Sequence, residues 1–266
     1  MKFALGLEYD GSIYYGWQKQ KYVLTIQECL ELAISKIADR QVDVVCSGRT
    51  DRGVHAMTQI VHFHTDIKRS CSVWLRGLNA LLPKDITVLW VQEVPLDFHA
   101  RFSALSRSYR YLIFNQKHRS SFFIKHCLHV RDMLNIIKIK NSIKYLVGKH
   151  DFTSFKSVGC QSSSAIKNIM SLTVRRINNF VVFDITSNSF LYRMVRNIVG
   201  CLLAVGLSRC RARGVKTILR NRDIKKKYST LPAYGLYFMY ASYPERYGIF
   251  KHYRLFSNSG LFMNIK

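Results

Sequence analysis

Hydrophobic periods recur in this chain in one order, strand, helix, strand, strand, helix, strand, and a similar order follows in the second half. Phe3, Leu5, Leu7 and Tyr9 alternate with Lys2, Ala4, Gly6 and Glu8, which predicts a strand with one buried face. Thr25-x-x-Glu28 has the form of a capping box, opening a helix whose apolar face is Ile26, Leu30, Ala33, Ile34 and Ile37. Strands are then predicted over Val42 to Cys46 and Gln59 to Thr65. A short helix from Trp74 to Leu82 stops before Pro83, and a β-rich run covers Ile86 to Val94.

The second pass begins with a strand at Tyr109 to Phe114 and a helix over Met133 to Leu146, with Ile136, Ile137, Ile143 and Leu146 available for burial. Leu172 to Ile177 and Phe180 to Thr186 are joined by Asn178-Asn179, residues that tolerate the positive φ of a tight hairpin. A helix from Leu191 to Val205 carries Met194, Ile198, Cys201, Leu202 and Val205 on one face and Arg193, Arg196 and Asn197 on another. Leu236 to Tyr240 closes the pattern as a strand. This order predicts an α+β protein of two halves with antiparallel sheets, divided as 1–104 and 105–266. A chain of 266 residues that is 48% hydrophobic can fill such cores.

A formal charge of +25, from 41 Lys and Arg against 16 Asp and Glu, makes a polyanion the leading partner and nucleic acid the first candidate. Basic drift of composition without a dedicated site is the other reading. The densest charged stretch, Arg209 to Lys227, fits a solvated helical face as well as a phosphate contact. Seven cysteines, odd in number and without a Cys-x-x-Cys pair, indicate neither a zinc cluster nor a disulfide framework, and a reducing cytoplasm fits best. The N-terminus reaches Glu8 too early for a signal peptide, and the apolar run Ile198 to Leu207 is too short to span a membrane, so a soluble protein is expected.

In a chain this poor in acids, Gly48-Arg49-Thr50-Asp51-Arg52-Gly53-Val54-His55 sets one carboxylate among arginines and between glycines. It reads as a polar turn between two strands. It reads equally as a carboxylate presented into a cleft, with Arg49 or another arginine keeping it ionised, and such a group can act as a nucleophile. His62 and His64 share a strand face, but without a third ligand at a recognisable spacing they are expected to be paired surface histidines, and no metal is expected. Gly11 and Gly16 belong to no phosphate-cradling motif.

Gly48-Arg49-Thr50-Asp51-x-Gly53-Val54-His55-Ala56 resembles the active-site motif of the tRNA pseudouridine synthase A family. Further blocks match in the family's order: Glu8 to Gln18, Asp97 to Ala104, Tyr109-Arg110-Tyr111, Asp151 to Phe155, and Met194 to Gly200. The resemblance implies two ferredoxin-like (RRM-like) halves with sheets joined around a central basic cleft, in a homodimer that holds tRNA. It implies isomerisation of uridine to pseudouridine at positions 38, 39 and 40 of the anticodon arm, without a cofactor. Asp51 would be the nucleophile, attacking either C1′ of the ribose or C6 of the base. Arg49 stands beside it, and Arg196 would be the buried arginine reaching the same site.

Tyr109 would line the substrate pocket and stack on the base. Spacing alone does not separate it from Tyr111 on the same strand face. Phe98, His99, Ala100, Arg101 and Phe102, with Gly159, Cys160, Gln161, Ser162 and Ser163, match tRNA-contacting regions, and Arg69 is a candidate phosphate contact. Two residues depart from the pattern: Arg52 stands where relatives usually have a small residue, and Ser163 where an arginine is common. Arg52 contacts phosphate or points outward. An RNA-binding protein without turnover is the alternative of another class, and a metal-dependent nuclease would need an acidic or histidine cluster that the sequence does not display.

Overall fold

The structure, a computed structural model, describes residues 1–224 and 228–249; Lys225 to Lys227 of the basic stretch lie outside the described residues. In chain order the elements are β1 (Lys2–Tyr9), α1 (Ile26–Ala38), β2 (Val44–Cys46), β3 (His55–His64), α2 (Cys71–Leu81) and β4 (Ile86–Glu93). There follow β5 (Ser106–Asn115), β6 (Leu128–Val130), α3 (Ile136–Ile143), β7 (Gly148–Asp151), β8 (Ile166–Ile177), β9 (Phe180–Ser187), α4 (Met194–Gly206), α5 (Ala212–Asn221) and β10 (Leu236–Ser242). The fold is mixed α+β with mostly antiparallel pairing, and it divides into two compact units. Among the described residues one comprises Met1–Arg107 and Phe238–Ile249, the other Ser108–Tyr237 without the undescribed 225–227. This differs from a division at 104/105, because most of the strand closing the second sequence pass runs with the first unit.

In the first unit β1 lies between β4 and β3, both antiparallel to it, and β2 pairs the far end of β3. This is the βαββαβ order of a ferredoxin-like half. Thr25 caps α1, its Oγ1 accepting from the Glu28 amide at 3.4 Å. Of the predicted α1 face, Ile26, Leu30, Ala33 and Ile34 are buried and Ile37 is half-buried. Phe3, Phe63 and Trp74 form the aromatic contact between sheet and α2, with Phe3 and Phe63 ring centroids 5.6 Å apart and Phe63 and Trp74 5.2 Å apart.

The single buried face predicted for β1 is corrected: both faces are covered, and Lys2, Ala4 and Gly6 are buried as well. The alternation separates large apolar residues from charged or small ones rather than inside from outside. Gly6 leaves room for the Trp90 indole, which a Cβ there would strike. The segment after β4 folds across this face, where Lys2 Nζ donates to the carbonyls of Leu96 and, at 2.6 Å, Phe98. The same cover corrects the pair of surface histidines. His62 is buried, its Nδ1 accepting from the Ala100 amide at 3.1 Å and its ring 4.9 Å from His99, while His64 is exposed.

In the second unit β9 lies between β5 and β8, and β7 extends the far edge. One pairing departs from the antiparallel expectation: β6 runs parallel to β5, with Ile113 opposite Leu128. The β8–β9 hairpin turns through Asn178 at φ 48°, the positive value that asparagine tolerates. Arg110 grips Asp184 with Nε–Oδ1 2.7 Å and Nη2–Oδ2 3.2 Å, and Arg175 reaches the same carboxylate at 2.7 Å. The helix expected over Met133 to Leu146 is shorter, and Ile139 is buried in place of Ile137, which is 72% exposed. In α4 the predicted apolar face is buried, but Asn197 leaves the polar face assigned to it: it is wholly buried, its Nδ2 donating to the Phe155 carbonyl at 2.7 Å.

Candidate active site

Asp51 lies in the loop between β2 and β3, and the sequence around it supplies clamps on both sides. At the base of the loop, Ser47 N–H donates to the Ile60 carbonyl at 2.7 Å. Its hydroxyl donates to Gln59 Oε1 at 2.6 Å, and Gln59 Nε2 donates to the Gly48 carbonyl at 2.6 Å. Gln59 is fully buried, so these bonds form where water does not compete. Arg107 adds a second brace, Nε and Nη2 each donating to the Ser47 carbonyl at 3.2 Å, while Nη1 donates to Ala104 at 3.2 Å and Nη2 also to Arg101.

At the tip, Thr50 Oγ1 lies 2.7 Å from the Tyr9 hydroxyl, and the Val54 amide closes a turn on the Asp51 carbonyl at 3.1 Å. The Gly- and Tyr-rich loop after β1 wraps this turn. Trp17 N–H donates to the Thr50 carbonyl at 3.0 Å, and Gly16 at φ 92° approaches so closely that a Cβ would lie 2.8 Å from that oxygen. At the exit, buried His55 has Nδ1 3.0 Å from Asp10 Oδ1 and 3.1 Å from the Gly11 amide. The bond to His55, aided by Ser12, holds the Asp10 carboxyl well below the usual carboxylate range.

Within this frame Thr50 is buried, Asp51 half-buried, and Arg49 and Arg52 exposed. Cys46, which ends β2, is no rival nucleophile, because burial pushes its thiol up to about 12 and keeps it protonated. The predicted contact stretch splits by burial. Phe98 and Ala100 are core residues, whereas His99 is half-buried and Arg101 and Phe102 are exposed, with Arg101 over the Phe102 ring at 5.4 Å. Arg69 is exposed, just before the Ser70 cap of α2.

In the second unit the two strand tyrosines separate. Tyr111 is fully buried and its hydroxyl donates to the Pro232 carbonyl at 2.9 Å. Tyr109 is half-buried, edge-on to Phe190 at 5.1 Å. Arg196, expected to be buried, is half-buried, with Nε donating to the Leu231 carbonyl at 2.6 Å. Gly159, Gln161, Ser162 and Ser163 form an exposed loop, in which Ser162 accepts from Lys167 Nζ at 3.1 Å; Cys160 is half-buried, its Sγ accepting from the Tyr192 amide at 3.5 Å.

Sequence reasoning missed Tyr9, Gln59 and Arg107. Gln59 left no distinct signal, because β3 also carries His55, Thr58, His62 and His64 as polar residues.

No helix among the described residues is long and apolar enough to cross a membrane. A model of the family described as tRNA pseudouridine synthase matches residues 7–103 and 142–244, so it takes in the Asp51 loop. The tRNA pseudouridine synthase A of Buchnera aphidicola subsp. Acyrthosiphon pisum is 49% identical over 247 residues, covering 93% of each chain. That of Vibrio cholerae serotype O1 is 46% identical over 249 residues, covering 94% of each. That of Blochmanniella floridana is 49% identical over 246 residues, covering 92% of this chain and 98% of its own. A match of this extent, running through the clamped loop that carries Asp51, makes the chain a member of the tRNA pseudouridine synthase family.

Proposed function

We propose that this pseudouridine synthase isomerises uridine at positions 38, 39 and 40 of the tRNA anticodon arm, with Asp51 as the nucleophile and without a cofactor. The observation that supports the reading best is the bracing of Asp51. A half-exposed carboxylate is carried on a loop whose preceding residue is bonded to Tyr9 and Trp17 and whose base is bonded to Gln59 and Arg107. Such preorganisation is what a nucleophile needs to meet a reacting atom in attack geometry.

The chemistry assigns work to the other residues. A stacked or paired uridine must be extruded before its atoms can be reached, at a cost of about a few kcal/mol. Tyr109 offers a half-exposed ring on which the flipped base stacks, a contact worth about 1–3 kcal/mol. Asp51 attacks C1′ or C6, the glycosidic bond breaks, the uracil turns, and C5 bonds to the sugar in place of N1; C5 gives up its proton, N1 takes one, and the bond to Asp51 breaks to free the carboxylate. Arg49 and Arg196 keep negative charge stable at the site. His99, Arg101 and Phe102, Arg69, and the loop from Gly159 to Ser163 grip the RNA, Phe98 and Ala100 supporting their stretch from the core. The protein works as a homodimer in the cytoplasm.

The test is incubation with an unmodified tRNA transcript, without metal or nucleotide, followed by derivatisation and primer-extension mapping. Stops at positions 38 to 40 with wild type and none with Asp51→Ala support the assignment. Modification confined to another arm overturns the site specificity, and an Asp51→Ala protein of full activity overturns the nucleophile.

A further inference from the structure

Arg52, the residue after the proposed nucleophile, lies over the ring of Tyr15, its guanidinium carbon 4.1 Å from the ring centroid. The two side chains come from the two loops that the Trp17–Thr50 bond ties together, so the pair sits on a braced base. Both are exposed, Tyr15 to 42% of its surface. Among the described residues Arg52 makes no ion pair with a carboxylate. By contrast Arg110, Arg175, Arg222 and Arg246 are each within 4.0 Å of one. A cation–π contact holds the guanidinium by its charge and uses none of its N–H donors on an acceptor, so those donors remain for a phosphate. It also removes in advance part of the side-chain entropy that an ordered arginine gives up on binding.

We propose that Arg52, held by Tyr15, is a phosphate clamp that grips the RNA backbone next to the flipped nucleotide. The inference rests on the functional reading above, since it takes the polyanion to be RNA at the Asp51 loop. It turns the outward arginine into an affinity determinant of this chain: a positive charge fixed one residue from the reacting carboxylate, with the tyrosine as its positioning residue.

The experiment titrates the full-length protein with an unmodified tRNA transcript at several salt concentrations, beside steady-state pseudouridine formation. Arg52→Gln should weaken binding about tenfold and lower the log–log salt slope by about 0.7–0.9, the share of one phosphate. The loss should fall on KM rather than kcat. Tyr15→Leu should reproduce much of it, and Tyr15→Phe, which keeps the ring, should not. Lys36→Gln removes one exposed charge on α1 and serves as the control for diffuse electrostatics. An unchanged slope in Arg52→Gln overturns the clamp, as does an equal loss in Lys36→Gln. Binding is read without turnover, so a wild-type protein that forms no pseudouridine sinks the functional reading while the salt titration still decides the clamp.

Discussion

The Tyr9 hydroxyl on β1 lies 2.7 Å from Oγ1 of Thr50, which bonds the first strand directly to the residue before Asp51. Both side chains are buried, and burial drives the Tyr9 phenol upward, so it stays protonated at every working pH. Tyr9→Phe should cost about 1–2 kcal/mol of stability by leaving the Thr50 hydroxyl without this partner. Turnover should fall further than tRNA binding. Denaturant melts and single-turnover rates check both, and unaltered turnover would show that Asp51 does not depend on this brace.

Gly16→Ala should damage the same loop from the other side. The residue sits at φ 92°, and the new Cβ would lie 2.8 Å from the Thr50 carbonyl. The strain is about 1–3 kcal/mol, and part of it should be relieved by displacing Thr50 and Asp51. Pseudouridine formation should drop well beyond what the change in melting temperature explains.

Tyr109 and Tyr111 should give opposite phenotypes. Tyr111→Phe loses the 2.9 Å bond to Pro232 in the core and should cost about 1 kcal/mol with RNA modification retained. Tyr109→Leu removes a half-exposed ring and should lose modification with little change in stability. Parallel melts and modification assays of the two variants separate a stacking role from a packing one.

His62 makes stability depend on pH. Burial, with His99, Lys2 and His64 nearby, pushes its imidazole from 6.5 down to about 3. Between these values the unfolded chain takes up a proton that the folded chain refuses. The contribution is therefore complete above about pH 6.5 and is lost as the pH falls, at a slope approaching about 1.4 kcal/mol per pH unit. His62→Asn, whose side-chain oxygen can replace Nδ1 as acceptor for the Ala100 amide, should flatten this slope in urea melts between pH 7.5 and 4.5.

Local signals carried most of the fold. The Thr25 cap, the Asn178 turn and the alternation in β1 each act within a few residues, and the elements they predict are present. What failed was the side of burial. Lys2 and His62 look solvent-facing by their chemistry, yet the segment from Leu96 to Ala100 returns over them, a contact nearly a hundred residues away from Lys2 that no local period records. Asn197 misled for a similar reason, since its partners Phe155 and Ser157 come from the segment between β7 and β8, some forty residues away. At the site, Asp51 and its flanking glycines stood out by composition. The clamps did not, because Tyr9, Gln59 and Arg107 converge from three strands, and only the folded sheet brings them together.

Phe238–Ile249 belongs to the unit that carries Asp51. Tyr243 donates to the Ala100 carbonyl at 2.6 Å, and Tyr247 receives Gln92 Nε2 on its carbonyl at 2.8 Å. During vectorial synthesis on the ribosome, then, the unit that starts first cannot finish until the 130 residues of the other, Ser108–Tyr237, have been made. Nascent chains stalled before β10 should carry a folded insert within a host that is still open, and the bracing of the Asp51 loop is among the last features whose surroundings are completed.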